Sequence, residues 1–178
     1  MKKLLVTLTA VLVSVSTFGQ GTIFFNNRTS AGDVRIYAPD GTSGAGTAAP
    51  VVNAQLFLVP SGGGALVPLT PATTFRTGAA ASFFVNPVDV VVAGINAGSP
   101  ATILVRAWDA AAGSYDAAVL RGESASFTIS ALGGISPTGT IVPTPDLAGL
   151  QSFTMVPEPS TIALGVLGAA ALLYRRRK

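Results

Sequence analysis

Between residues 20 and 155 glycine, proline, serine, asparagine and aspartate recur so often that apolar stretches stay short, and several of them alternate with polar residues. A period of two fits half-buried strands, and little in this region supports the 3.6-residue period of an amphipathic helix. Candidate strands are Thr22 to Asn26, Val34 to Tyr37, Val52 to Val59, Ser82 to Val85, Val88 to Ala93, Thr102 to Trp108, Ala125 to Ser130 and Gln151 to Met155. Ala125, Phe127 and Ile129 alternate with Ser124, Ser126, Thr128 and Ser130, so one face is expected inside and the other in water. Ile103, Val105 and Ala107 alternate in the same way with Leu104, Arg106 and Trp108. Eight short strands at this spacing predict an all-β fold, an antiparallel β-sandwich of jelly-roll or Ig-like type, with a barrel as second choice. Pro39-Asp40-Gly41 and Ser61-Gly62-Gly63-Gly64 supply turns. The sandwich is expected over 20–132. Residues 133–149, with Pro137, Pro143 and Pro145, read as an extended linker or edge-covering segment before a last strand in 150–155.

Composition limits the chemistry of this body. The 178-residue chain has no cysteine and no histidine, which removes disulfides, thiol nucleophiles, the commonest general base and most zinc, copper, haem and iron–sulfur ligation. No cofactor and no metal site is expected. The formal charge of +3 misleads, because Lys2, Lys3 and the last four residues supply six of the eleven cations. Residues 20–155 hold five arginines against seven acids, a balance of −2, and no lysine, so a nucleic-acid partner has no basic patch to bind.

The cations gathered at the two ends belong to two segments that read as targeting signals. Lys2 and Lys3 precede the apolar Leu4 to Val15 and the small-residue pattern Thr17-Phe18-Gly19, the order of a cleavable signal peptide over 1–19. That predicts handling by the Sec translocon and signal peptidase. At the other end Val156-Pro157-Glu158-Pro159-Ser160 is followed by an apolar run to Tyr174 and then by Arg175, Arg176, Arg177 and Lys178. Each proline fixes φ and lacks an N–H, so Pro157-Glu158-Pro159 is stiff, cannot enter a helix or central strand, and is expected to stay available to a partner. Ser160 or Thr161 can cap a short transmembrane helix over 161–174, and the four cations stop it at the cytoplasmic face. The thirteen residues from Ile162 to Tyr174 span about 20 Å against a hydrocarbon core of about 30 Å, and Gly165 and Gly168 weaken the span further. Such a segment suits a transient hold on the inner membrane better than a permanent anchor.

Residues 156–178 closely resemble the PEP-CTERM sorting signal of Gram-negative bacteria. The sorting motif is Pro157, Glu158 and Pro159 with Ser160 and Thr161 in the familiar next places, and Arg175 to Lys178 form the membrane stop. The resemblance implies recognition by an exosortase, processing near the motif, and delivery to the cell surface or an exopolysaccharide-containing extracellular matrix. It says nothing about the activity of the body. The stretch Gly21 to Arg28 weakly resembles the start of other such mature domains and implies an N-terminal strand only.

Within the body the residues open to a functional reading are few. Trp108, Asp109, Tyr115 and Asp116 could form a sugar platform, an aromatic face stacking on a pyranose while carboxylates bind hydroxyls. Asp116 and Glu123 could serve as the carboxylate pair of a glycoside hydrolase, although sequence spacing fixes no separation in a β fold. The spacing favours the structural alternative, in which Asp109 starts a turn to Gly113, Trp108 packs on a sheet and Glu123 begins a strand after Gly122. Asp33, Asp40 and Asp89 read as turn residues, not as a calcium loop. Serine lacks both the histidine and the lysine partners of its usual nucleophilic pairs, and the Asn27-Arg28-Thr29 match to a glycosylation pattern is given no role. The function expected is a non-enzymatic structural or adhesive protein of the surface or matrix. The alternatives are a carbohydrate-binding module and, third, a carboxylate-dependent hydrolase.

Overall fold

The computed structural model describes residues 19–49 and 51–158. The signal peptide up to Phe18, Pro159, Ser160, Thr161, the apolar span and the Arg175 to Lys178 stop lie outside the described residues.

Alternation at the sequence level becomes two layers of strands. The chain forms β1 (Gln20–Phe25), the small hairpin β2 (Arg28–Thr29) and β3 (Gly32–Asp33), then β4 (Ile36–Tyr37), β5 (Val52–Leu58), β6 (Val67–Pro68) and β7 (Thr73–Thr74). It continues with β8 (Val88–Asn96), β9 (Ala101–Asp109), β10 (Leu120–Glu123), β11 (Phe127–Ile129), β12 (Gly134–Ile135), β13 (Ile141–Val142), β14 (Phe153–Thr154) and β15 (Val156–Pro157). Two short 3-10 turns, Ala45–Thr47 and Ala110–Ala112, are the helical elements among the described residues.

One layer is a seven-stranded sheet in the order β15-β10-β9-β5-β6, with β11 also on β9 and β7 also on β5. The facing layer is the antiparallel pair β1–β8, in which Ile23 lies opposite Val90 and Phe25 opposite Val88. Ile23, Phe25, Val90 and Val92 from this pair meet Val52, Ala54 and Leu56 of β5 and Ile103, Val105 and Ala107 of β9 in one buried cluster. A large aliphatic or aromatic side chain contributes about 1.5–3 kcal/mol when fully buried, so this inner seam is what holds a cystine-free sandwich together. Segment 133–149 lies along the free side of β1, where the Thr22 N–H donates to Gly133 O and the Phe24 N–H to Pro145 O, each at 2.9 Å. Leu147 from the same segment is fully buried.

Four departures from the sequence reading have local causes. Ser82 to Val85 is a turn and not a strand: the Ser82 N–H donates to Gly78 O and the Phe84 N–H to Ala81 O, both at 2.9 Å. Its shape is held by the buried Asn27, whose Nδ2 donates to Val34 O (2.7 Å) and Phe83 O (2.9 Å) while Oδ1 accepts the Val85 N–H (2.9 Å). Secondly, Ala125 is exposed. Glu123 pairs with Arg106 but Phe127 pairs with Ile103, so four steps on one side match three on the other, a bulge that changes the phase of the strand. Ser124 is buried there, and its Oγ accepts the Val105 N–H at 2.9 Å. Thirdly, Leu120–Glu123 is a strand that none of the candidate ranges included, and Glu123 ends it instead of beginning one. Fourthly, the last strand does not stop at Met155. β14 pairs in parallel with β4, and the chain then crosses to pair β15 with β10.

Candidate functional site

The C-terminal edge of the large sheet brings the sorting motif onto the folded body. Gly122 of β10 makes the approach possible: a Cβ there would lie 3.0 Å from the Met155 Cα and from Thr154 O, so the absent side chain leaves room for the crossing backbone. Met155 is fully buried and its N–H donates to Tyr37 O at 2.9 Å, fixing the point from which the chain reaches the edge. Val156 then lies opposite Arg121 and Pro157 opposite Leu120. A proline is tolerated there because it occupies an edge strand, where no central ladder donor is lost. The Glu158 N–H donates to Val119 O at 2.7 Å.

Arg121 completes the contact. One terminal nitrogen pairs with the Glu158 carboxylate, while the other donates to Tyr115 O (3.1 Å) and Asp116 O (3.2 Å). The guanidinium is therefore anchored to the 114–118 turn before it meets the motif. The expectation that Pro157-Glu158-Pro159 stands free of the body is thus corrected for its first two residues. The stiffness argument holds, but an extended segment with a free N–H is also what a sheet edge can pair with.

Behind this edge a row of side chains covers the outer face of the sheet. Arg106 of β9 lies 4.9 Å from the Phe57 ring and 4.2 Å from the Tyr115 ring, and Arg121 lies 5.0 Å from the same tyrosine. Arg106 Nε also donates to Glu123 Oε2 at 2.5 Å. Partial burial pushes the Tyr115 hydroxyl above its ordinary pKa; the negative Glu123 adds to this, and Arg106 and Arg121 oppose it.

The four residues of the sugar reading fall as follows. Trp108 and Tyr115 meet edge to face with centroids 6.3 Å apart, and Asp116 adjoins through Arg121, 4.0 Å away. Trp108 is 4% exposed, so its ring belongs to the packing and its face is covered. Its Nε1 has no hydrogen-bond partner among the described residues. Asp109 caps the 3-10 turn by accepting the Ala111 N–H at 3.0 Å. The Asp116 side chain is 89% exposed. Surface depressions of about 360 Å³ beside Ser30 and Asp146 and about 560 Å³ beside Pro60 and Thr102 include none of these four residues. The other acids sit in local structure: Asp33 pairs with Arg28 at 3.3 Å, and Asp40 accepts the Thr42 and Ser43 N–H groups at 2.9 and 2.8 Å. The Ser43 hydroxyl, together with those two backbone bonds, holds the Asp40 carboxyl down at about 2. Among the described residues no three acids gather as a metal site would require.

Sequence reasoning found Trp108 and Tyr115 but missed Arg106 and Arg121, which organise the face. The available signal was Arg106 on the outer phase of the β9 alternation. For Arg121 there was none without β10. Comparison with curated proteins and with solved structures found no match. A family model described as the PEP-CTERM protein-sorting motif matches residues 156–178, beginning at the first residue of β15. The chain therefore carries a PEP-CTERM protein-sorting motif confined to its C-terminal segment, the mark of an exported protein sorted to the cell surface by an exosortase.

Proposed function

We propose that residues 20–155 form a non-enzymatic structural or adhesive domain that the sorting segment delivers to the outer surface or the exopolysaccharide matrix. The path runs through the Sec translocon, signal peptidase, a transient hold in the inner membrane stopped by Arg175 to Lys178, and exosortase processing near Pro157 to Thr161. The observation that carries this reading is the sorting motif joined without a spacer to a cystine-free sandwich. The arginines and aromatic residues on the adjoining face of that sandwich are engaged with one another. Intact mass and fractionation of the native protein test it. The expected result is material on the surface that lacks the residues following the motif, and a full-length tail in purified surface material refutes it.

A carbohydrate-binding module is the second reading, favoured by the convergence of Tyr115 and the exposed Asp116 beside Trp108. Affinity electrophoresis on a panel of polysaccharides decides it: retardation that Tyr115→Ala abolishes supports the module, and unretarded migration removes it. Turnover lost in Asp116→Asn or Glu123→Gln would instead reveal a hydrolase.

A further inference from the structure

We propose that the strand Leu120–Glu123 is an intramolecular latch for the sorting motif: Val119 and Arg121 hold Glu158 against the sheet, and an exosortase reads the motif only after residues 156–158 peel away. This rests on the sorting reading above and adds a regulatory step to it.

Three observations carry the proposal. Two of the polar groups by which an extended Val-Pro-Glu segment can be recognised, the Glu158 N–H and the single carboxylate, are both engaged within the domain. The Glu158 N–H is bonded to Val119 O, and the carboxylate is paired with Arg121. Pro157 lacks an N–H altogether, so Glu158 carries the first backbone donor after Val156. Reach is the second. Only Pro159 and Ser160 separate Glu158 from the apolar segment expected to begin at Thr161, and two extended residues span about 7 Å. A docked motif would press the sandwich against the membrane and leave no length of free chain for an enzyme cleft. Peeling back to Met155 adds three residues, about 10 Å more.

The third observation is that the latch is built to open. The bonds of Arg121 to Tyr115 O and Asp116 O do not involve Glu158, so release of the motif breaks neither of them. Val156 is 57% exposed and the Glu158 side chain 49% exposed, so little apolar area opposes release. The firm attachment lies one residue earlier, at the buried Met155.

The test follows processing of the full chain by pulse-chase in a host carrying the exosortase, read by mass as loss of the residues that follow the motif. Arg121→Gln removes an exposed ion pair and is expected to accelerate processing up to about fivefold. Arg121→Cys combined with Val156→Cys replaces two residues that lie opposite one another. In an oxidising compartment their disulfide holds the strand shut. That variant is expected to stop being processed and to recover when reductant is added, and it decides the matter even if Arg121→Gln impairs folding. Oxidised double-cysteine protein processed at the wild-type rate overturns the latch and leaves the sorting reading standing. A wild-type chain that is never processed overturns both.

Discussion

Asn27 is the polar residue on which the most backbone depends, and its removal has a cost that can be worked from its contacts. The side chain is fully buried just after β1 and ties it to two other segments, through Val34 O on one and through Phe83 O and the Val85 N–H on the other. In Asn27→Ala the Phe83 carbonyl keeps a second donor, the Ile36 N–H at 3.4 Å, whereas the Val85 N–H and Val34 O lose the bonds the side chain supplied. Leaving a buried backbone group unsatisfied costs about 1–3 kcal/mol, so the two together cost about 2–6 kcal/mol. That is a large share of the 5–15 kcal/mol typical of a domain. Urea unfolding followed by the emission of Trp108, the single tryptophan and a buried one, is the assay. With a slope of about 1–3 kcal/mol per molar urea, the midpoint should fall by about 1–3 M. Asn27→Asp sharpens the test. It keeps an acceptor for Val85 but turns an anionic oxygen toward two carbonyl oxygens, so it should be at least as destabilising at neutral pH and partly relieved when acid protonates the carboxylate. A midpoint within about 0.3 M of wild type for Asn27→Ala would show that the turn at 82–85 holds itself.

Three further outcomes follow from other parts of the molecule. Gly122→Ala places a Cβ 3.0 Å from the backbone of Thr154 and Met155 and should cost about 1–3 kcal/mol in unfolding, with faster amide exchange at residues 154–158 before any change in β5 or β9. Arg106→Ala removes two cation–π contacts and a partly exposed ion pair, which sum to about 1–2 kcal/mol, and ultraviolet titration should show the Tyr115 hydroxyl pushed still higher because a cation beside it is gone. Asp40 ionises near 2 in the folded chain against about 3.9 when unfolded, so its contribution is complete above pH 4 and is lost as pH falls from 4 to 2. Asp40→Asn should therefore flatten the acid side of the stability profile in that window, as read from urea midpoints at pH 5 and pH 2.5.

Legibility in the sequence followed the range of the interaction involved. Ile103, Val105 and Ala107 announced an inward face because alternation is a local property, and all three are fully buried. The opposite face of the same strand was expected in water apart from Trp108, which was expected to pack on a sheet and does, yet Leu104 is buried there too and Arg106 is stacked between Phe57 and Tyr115. That cover comes from β5 and from the connection before β10, which no period within 101–109 can reveal. Ser124 shows the same limit at smaller scale. Its hydroxyl replaces a backbone acceptor for Val105, and the extra residue reverses the phase that Ala125 suggested.

The sorting segment poses the harder problem, because its motif was legible while its boundary was not. Pro157, Glu158 and Pro159 declare a signal through their own covalent constraints, and a signal is naturally taken to begin where the fold ends. The boundary is instead set by Gly122, more than thirty positions earlier, which lets the backbone at 154–155 approach β10, and by Arg121, whose partner is the motif's one acid. Read as a sequence, Gly122 is no more than the residue before an expected strand. Read with β15 alongside it, the glycine supplies clearance and the arginine supplies charge to the same short segment. On the latch proposed above, the residues that set how readily the motif is released are in the body, with Glu158 as their partner. Domains that carry the same signal can then differ in how readily they release it without any change in the signal itself. Exchanging the edge residues 119–122 between two such domains, with both tails left untouched, should transfer the processing rate along with the edge.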